Sequence, residues 1–371
     1  MFTFTSGYDI ITLINSGRTT GGLKKMNRKA MDKGIIVAGS MIVDNLKKID
    51  IYPGPCNLTP IRKNEMALGG LVNNCIQDLA RIDPEIPLKA LGIVGDDTCG
   101  NFIFEKLGKF SNIDVSALQK RGETSFTDVM YDSVRRTRAY FQFYGSNADL
   151  CIDDFDFDKV TGSIMHVGYI LLLDNLDQPH PVYGTKMGEV LHKAQSYGIK
   201  TSIDIVSEES DRYRTVVAPA LKYVDYCIIN EMEAGKIVGI PASDEDGHII
   251  EENMPKICRA LRELGVRDWI IVHARDASYG LDTDGTFIRM DCIDIPRSLI
   301  VATTGAGDAF CSGALYGAYK GMSMKEAMYF ATGVASCSLF SASASDGVRS
   351  YDETLKLCAE YPVPACEEYK I

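Results

Sequence analysis

The sequence lacks several features that would mark particular classes of protein. No stretch of its 371 residues reaches transmembrane length, and the short apolar run at 10–13 has neither the basic start nor the longer apolar core of a signal peptide. The eleven cysteines stand singly with no C-x-x-C pair, which is typical of buried, reduced thiols. The formal net charge of -11 excludes a broad surface for nucleic acid or anionic membrane, because such surfaces need excess Lys and Arg. We therefore expect a cytoplasmic protein whose partner is a small molecule.

Several nucleotide-binding motifs are absent as well. The chain has no G-x-x-x-x-G-K-[ST] run of a Walker-A NTPase, and neither the H-R-D nor the D-F-G of a protein kinase. The run Gly305-Ala306-Gly307 lacks the third glycine of a dinucleotide fingerprint, because the residue at that spacing is Phe310. Histidines 166, 180, 192 and 248 show no partner spacing, and we assign them no chemistry.

The pattern from residue 34 onward is that of one α/β domain. Short apolar runs alternate with stretches of helical period, which is typical of a parallel sheet joined by crossover helices. The predicted strands are 35–38, 88–94, 164–167, 200–205, 226–229 and 269–273, and the predicted helices are 71–82, 102–110, 183–197, 254–264 and 308–319. This predicts a three-layer α/β/α fold, doubly wound around a mostly parallel sheet over 34–371, with residues 1–33 as a leader outside the core.

Two segments do not fit this alternation. Residues 46–66 and 124–144 are rich in strand formers, Pro, Arg and aromatic residues, and they predict strands set apart from the main sheet. A small β lid is the economical interpretation. If the lid exposes strand edges, pairing with a second copy would cover them, so we expect a homodimer.

The strongest local signal is the run of small residues from Thr303 to Asp308, between an apolar pair and a helical stretch. Small residues let backbone amides crowd around an anion at a helix N-terminus, where the helix dipole also favours negative charge. A carboxylate in that first turn suits the removal of a proton from an attacking hydroxyl. The alternative is an ordinary capped helix start with an acidic residue in its first turn.

This run resembles the C-terminal signature of the PfkB or ribokinase-like carbohydrate kinases, and other motifs follow in that family's order from about residue 34 to 350. The resemblance implies that the amides of Gly305, Ala306 and Gly307 form an anion hole and that Asp308 is the catalytic base. It also implies ATP as donor, with Thr304 among the residues that bind the nucleotide.

Further motifs resemble the family's acceptor site. Asp44 stands where the family has the aspartate that holds substrate hydroxyls, and Gly69-Gly70 with Asn74 is similar to the Gly-Gly-x-x-x-Asn that closes over the sugar. Asn147 lies in a similar Gly-x-Asn-Ala stretch. Read without the family, Asp44 follows the first strand at the edge where open α/β sheets bind ligands, although it could cap the next segment and the glycine pair could simply make a turn.

Residues 230–233 resemble the N-x-x-E motif near the nucleotide phosphates and Mg²⁺. The resemblance implies that Asn230 and Glu233 bind Mg²⁺ through water and that Asn230 also lies near the nucleotide. The alternative is an ordinary helix N-terminus with acidic residues in its first turn. After the strand at 269–273 the family usually has two glycines where this chain has none, so His273 and Arg275 are the candidates for nucleotide contact there.

One more departure concerns a monovalent cation. The family usually has Asp before the signature, and that Asp helps bind a K⁺-like ion, whereas this chain has Ala302. We therefore expect little dependence on K⁺, unless a carboxylate such as Asp346 takes its place. The sequence as a whole predicts ATP- and Mg²⁺-dependent transfer of phosphate to a primary hydroxyl of a sugar or sugar-like molecule. A nucleoside kinase of the same superfamily and a sugar-binding pseudokinase remain alternatives.

Overall fold

The computed structural model describes residues 34–371, so the predicted leader at 1–33 lies outside the described residues. These residues form a ten-stranded main sheet, a four-stranded lid sheet and a two-stranded hairpin. The main sheet has the strand order β16-β15-β14-β13-β12-β11-β8-β1-β4-β5. Its strands are β1 Ile35–Gly39, β4 Leu88–Val94, β5 Ile113–Lys120, β8 Ile164–Ile170, β11 Lys200–Ile205, β12 Tyr226–Asn230, β13 Trp269–His273, β14 Ala277–Leu281, β15 Thr286–Asp291 and β16 Cys366–Lys370.

Seven neighbouring strands of this sheet run parallel, namely β13, β12, β11, β8, β1, β4 and β5. Their apolar side chains are covered on both faces of the sheet. The helices that cover them are α1 Leu71–Ile82, α2 Thr98–Leu107, α3 Lys186–Ser196, α4 Glu231–Val238, α5 Met254–Glu263, α6 Ala306–Lys320, α7 Met324–Ser338 and α8 Tyr351–Glu360. Helices α3, α4 and α5 pack in one layer, and the other five pack in the second. The predicted three-layer α/β/α fold is confirmed.

The antiparallel edge of the main sheet was not predicted. Strands β14, β15 and β16 continue the sheet beyond β13 as antiparallel strands. Their short runs lack the long apolar core of the central strands, and β16 consists largely of exposed polar residues. Pairing across the sheet, rather than local sequence, therefore determines this edge.

The predicted lid exists, but with different bounds. Its strands are β2 Ile42–Ile49, β3 Ile61–Gly69, β6 Phe126–Asp132 and β7 Thr137–Phe143, in the order β3-β2-β6-β7. The lid begins earlier than residue 46 because β2 starts only two residues after β1 ends, and residues 50–60 contain no strand. The remaining hairpin joins β9 Pro179–His180 to β10 Gly184–Thr185.

Within residues 34–371, no helix is long and apolar enough to cross a membrane. All eleven cysteines are free, as the sequence predicted. The prediction that they are all buried is wrong for Cys56, which is exposed, and four others are only partly covered.

Helix α1 carries an ionisable side chain in the core. Asp78 is fully buried, and neither of its carboxylate oxygens has a well-formed hydrogen bond to another described residue. Burial raises its pKa well above the usual range, the negative charge of Asp308 adds to this, and Ser345 and Arg81 oppose it. Because the unfolded chain releases this proton near the ordinary pKa of 3.8, folding at neutral pH requires the carboxyl group to take a proton up.

We therefore predict that Asp78→Asn raises the free energy of unfolding at pH 8 relative to wild type. The difference should shrink as the pH falls towards the ordinary value, since each pH unit between the unfolded and folded pKa values is worth about 1.4 kcal/mol. Melting temperatures between pH 4 and 8 would measure it, with the exposed Asp246→Asn as control. Equal pH dependence in wild type and Asp78→Asn would contradict the prediction.

The lid exposes apolar side chains near its β7 edge, among them Phe141 with 58% of its surface exposed and Phe143 with 39%. Apolar surface beside an unpaired strand edge favours association with a second copy. We predict a homodimer at micromolar concentration and a monomer for Phe141→Lys, measured by light scattering. A monomeric wild type would contradict it.

Candidate active site

The N-terminus of α6 lies at the carboxyl-terminal edge of the main sheet. Gly305 precedes it in the left-handed region with φ 84°, and a Cβ there would come within 2.3 Å of the Ala344 carbonyl oxygen. Only glycine fits this close turn. The first amides of a helix have no intrahelical acceptor, and the dipole adds positive potential, so the turn can hold an anion. The Ala306 amide already donates to the Thr303 carbonyl oxygen at 3.2 Å.

Asp308 lies in the first turn of α6, and two side chains hold its carboxylate. Asn74 Nδ2 donates to Oδ2 at 3.0 Å, and the Tyr169 hydroxyl donates to Oδ1 at 2.8 Å. Burial raises the pKa of Asp308 above its usual range, and these two hydrogen bonds act in the opposite direction. The result is a fixed carboxylate with increased basicity.

Asn74 and Tyr169 reach Asp308 from different elements. Asn74 comes from the first turn of α1, which begins directly after the glycine pair, and Tyr169 comes from the end of β8. The sequence analysis assigned Asn74 to the acceptor and did not identify Tyr169. The signal for Tyr169 was a hydroxyl-bearing residue at the carboxyl end of a buried strand, where open α/β sheets place their sites.

The glycine pair allows α1 to approach the lid closely. A Cβ on Gly69 would lie 2.4 Å from Asp44 Oδ2, and one on Gly70 would lie 2.8 Å from the Ser40 carbonyl oxygen. Asp44 is in lid strand β2, beyond the end of β1, rather than at the end of the first core strand as the sequence suggested. Burial raises its pKa to about 6, and a hydrogen bond with Thr127 opposes the shift.

Asn147 is buried and uses its side chain on the backbone. Its Oδ1 accepts from the Met41 amide at 3.1 Å, and its Nδ2 donates to the Met41 carbonyl at 3.1 Å and to Ser40 Oγ at 3.3 Å. These bonds hold the two residues that join β1 to the lid. The geometry thus gives Asn147 a structural task, and its predicted acceptor contact remains a prediction.

A cavity of about 690 Å³ lies between the lid, helices α1 and α2 and the loop at 342–346. Asp44 and Thr304 both line it, so it connects the predicted acceptor residue with the signature. Arg138 of β7 also lines it, and its Nη1 donates to Thr304 Oγ1 at 3.1 Å. The Arg138 side chain therefore links the lid to the signature.

Asn230 and Glu233 form a capping box at the start of α4. The Glu233 amide donates to Asn230 Oδ1 at 2.8 Å, and the Asn230 amide donates back to Glu233 Oε2 at 3.1 Å. The sequence analysis named an ordinary helix N-terminus as the alternative to a Mg²⁺ site here, and these two hydrogen bonds are those of such a terminus. Glu233 also accepts from the Ser207 hydroxyl at 2.8 Å.

Glu233 of the capping box also lies near a second acidic residue, Asp204, and both have raised pKa values. Burial raises the pKa of Glu233 to about 7. Burial likewise raises the pKa of Asp204, at the end of β11, well above its usual range, with the charges of Glu233 and Asp308 as further causes. Close carboxylates that disfavour each other's ionisation suit a divalent cation, and oxygen ligands are those that Mg²⁺ prefers. Within residues 34–371 no group of three or more His, Cys, Asp or Glu side chains could hold a metal ion directly, so Asp204 and Glu233 fit Mg²⁺ only as ligands that act in part through water. The sequence analysis had not included Asp204.

His273 lies beside the signature, whereas Arg275 is exposed in a turn and pairs with a neighbouring aspartate. His273 lies beside the signature, where a Cβ on Gly307 would be 3.2 Å from its Cε1, and its ring packs on Phe310 with centroids 5.2 Å apart. Burial lowers its pKa to about 4, so it is neutral at pH 7. Arg275 is exposed in the turn after β13 and pairs with Asp276 at 3.8 Å. Its predicted nucleotide contact therefore gains no support from the geometry.

Ala302 and Asp346 are the two residues that the sequence analysis considered in connection with a monovalent cation. The amide of Ala302 lies 3.5 Å from the Leu339 carbonyl oxygen. Asp346, the carboxylate that could replace the missing one, forms an ion pair with Arg81 at 2.6 Å. The expected weak dependence on K⁺ remains a prediction.

Comparisons with known proteins agree with this geometry. The model of the family described as "pfkB family carbohydrate kinase" matches residues 35–350. A 5-dehydro-2-deoxygluconokinase of Clostridium perfringens is 24% identical over 349 residues, which cover 90% of this chain and 94% of that protein. The structure of a ribokinase from Thermotoga maritima matches with a TM-score of 0.71 and 19% identity, covering 88% of this chain and 99% of the other. That of a 2-dehydro-3-deoxygluconokinase from the same organism matches with a TM-score of 0.68, 18% identity and coverage of 88% and 98%.

The hydrogen bond from Tyr169 to Asp308 leads to a pH prediction. Because the hydroxyl stabilises the charged carboxylate, Tyr169→Phe should raise the pKa of Asp308 further and move the acidic limb of turnover to higher pH by roughly one unit. The measurement is the pH–rate profile of wild type and Tyr169→Phe. Tyr316→Phe is the control, because Tyr316 lies on the same helix as Asp308 but its hydroxyl donates to Asp83. An unmoved limb in Tyr169→Phe would show that this bond does not tune the base.

Proposed function

Because this chain belongs to the pfkB family of carbohydrate kinases, which are phosphotransferases with an alcohol group as acceptor, we propose that it transfers the γ-phosphoryl group of ATP to a primary hydroxyl of a sugar or sugar-like molecule. The observation that carries the proposal is the carboxylate of Asp308, held by Asn74 and Tyr169 at the N-terminus of α6. It lies where an anion-binding helix terminus meets the acceptor side of the site.

Asp308 is the base. An acceptor hydroxyl placed against its carboxylate gives up its proton as the oxygen attacks phosphorus, and the proton remains on Asp308. The raised pKa makes this carboxylate a better base than an exposed aspartate, while its two hydrogen-bond donors favour its ionised form and orient it.

The first turn of α6 stabilises the transferring phosphoryl group. The amides of Gly305 and Gly307 are the candidate donors, and the helix dipole adds to their potential. Of the three amides named from the sequence, that of Ala306 has to exchange its bond to Thr303 before it can contribute. Fixed donors need no reorganisation as charge develops, which is the source of their catalytic effect.

Asp204, Glu233 and Asn230 are the candidates to hold Mg²⁺, in part through water. When bound, the cation supplies charge neutralisation for the phosphates. The neutral ring of His273 lies beside Gly307 and packs on Phe310, so it forms an uncharged wall of the site at this point.

The acceptor lies between the lid and the core in this proposal, with Asp44 accepting bonds from its hydroxyls. The Clostridium perfringens relative reported above is named as a 5-dehydro-2-deoxygluconokinase, which supports a sugar or sugar derivative as the acceptor.

We expect Asp308→Asn to lower turnover by roughly 10² to 10⁴, the range for loss of a general base, with ATP and acceptor affinity nearly unchanged. Steady-state kinetics and calorimetric titration measure the two effects, and Asp246→Asn serves as the control for a surface aspartate. Turnover within about tenfold of wild type would remove Asp308 from this role.

A further inference from the structure

The cavity between the lid and the core carries an excess of positive charge. On one face of the lid, Asp44, Leu46 and Lys48 alternate along β2, as residues that share a face of a strand must. The register places Tyr131 opposite Lys48, and Arg138 opposite Tyr131, so both extend the same face. All five residues line the cavity.

Ion pairs within the structure cancel most of the negative charge of the lining. Glu65 pairs with Lys63 at 2.8 Å, and Asp346 pairs with Arg81 at 2.6 Å. Of the described lining residues, Asp44 is then the carboxylate without an ion pair. Lys47 also lines the cavity and pairs with Asp128 at 2.5 Å. Three lining cations that form no ion pair among the described residues oppose Asp44, namely Lys48, Lys106 and Arg138. The phosphates of ATP would compensate the part of this excess nearest the signature, and a neutral acceptor would leave the rest uncompensated in a partly enclosed space.

Arg138 is the cation of this group that contacts the signature. Its Nη1 donates to Thr304 Oγ1, and its guanidinium carbon lies 5.9 Å from the centre of the Tyr131 ring. Within residues 34–371 it forms no ion pair with a carboxylate. A guanidinium has five N–H donors, so most of them remain for a ligand, and their planar arrangement matches the two oxygens of a carboxylate.

We propose that the acceptor is a sugar acid and that Arg138 binds its carboxylate, with Lys48 and Lys106 contributing the field that attracts it. Asp44 binds hydroxyls of the same molecule, and Asp308 receives the primary hydroxyl at its other end. This inference rests on the proposed function, because it identifies the acceptor of that reaction. It makes Arg138 a residue that determines specificity.

The test compares pairs of acceptors in which one member has a carboxylate and the other a hydroxymethyl group at the same carbon. The pairs are gluconate with glucitol, and 2-dehydro-3-deoxygluconate with the compound in which its carboxylate is reduced to a hydroxymethyl group. Phosphorylation of each is measured in wild type, Arg138→Gln, Arg138→Lys and Arg136→Gln. Arg136 lies in the same lid hairpin and does not line the cavity, so it is the matched control. Fructose 6-phosphate, which keeps a free primary hydroxyl at C1, forms a further arm, since a phosphate would also suit the cations.

Wild type should prefer the acids, and Arg138→Gln should reduce that preference roughly 10- to 100-fold through a higher KM for the acids, with the KM for ATP unchanged. Arg138→Lys should recover part of it. Equal use of acids and neutral partners by wild type, or preference for the sugar phosphate, would overturn the assignment. So would an equal fall of kcat with every acceptor in Arg138→Gln, because Arg138 would then act on the transferring phosphoryl group.

Binding separates this inference from the proposed function. Gluconate and glucitol are titrated calorimetrically into each protein, without turnover. Gluconate binding that is lost in Arg138→Gln and kept in Arg136→Gln supports the carboxylate site even if no acceptor is phosphorylated, in which case only the kinase proposal fails. Gluconate binding that is no tighter than glucitol binding in wild type overturns the carboxylate site whatever the turnover.

Discussion

The site depends on one constraint, which is that the carboxylate of Asp308 is held in a largely desolvated position, where burial disfavours its charged form. Burial opposes that charge, and the hydrogen bonds from Asn74 and Tyr169 offset the opposition. These donors come from α1 and β8, so three elements have to meet at one point. Gly70 lets α1 begin close to the lid, and Gly305 lets α6 begin close to the loop at Ala344.

Charge is distributed around this point in a way that matches phosphoryl transfer. Asp204 and Glu233 lie on the side of β11 and β12 and suit a divalent cation. The first turn of α6 offers positive potential between them and the acceptor. The lid adds the cations of its inner face, of which Arg138 contacts the signature directly. In the proposed reaction the divalent cation and the phosphates would each face charge of the opposite sign, which is the arrangement that stabilises a transferring phosphoryl group.

Much of this could be predicted from the sequence, and the exceptions have physical reasons. The central strands were evident because both of their faces are buried, and α1 was placed with its bounds because its apolar stripe begins directly after Gly70. The signature indicated Asp308 because small residues and an acid stand together at a helix start. Asn74 was identified, but its contact with Asp308 spans 234 positions and has no local signal.

Other features depend on contacts between distant segments. Tyr169 and Arg138 reach the site from strands whose sequences carry no motif. Asn147 lies in a motif, yet its bonds go to the backbone of Met41. The lid bounds were misplaced because β1 and β2 are nearly continuous, so Asp44 appeared to end a core strand when it belongs to the lid.

The pH dependence of kcat in wild type and in Asp308→Asn, at saturating acceptor, ATP and Mg²⁺, tests the central claim most directly, because the bound ligands then cover the other carboxylates of the site. If Asp308 is the base, kcat of wild type falls through an acidic limb as the pH falls, with its midpoint above the ordinary aspartate pKa of 3.8. The residual activity of Asp308→Asn should lack that limb. A limb that persists unchanged in Asp308→Asn would show that another group is the base and would contradict the account.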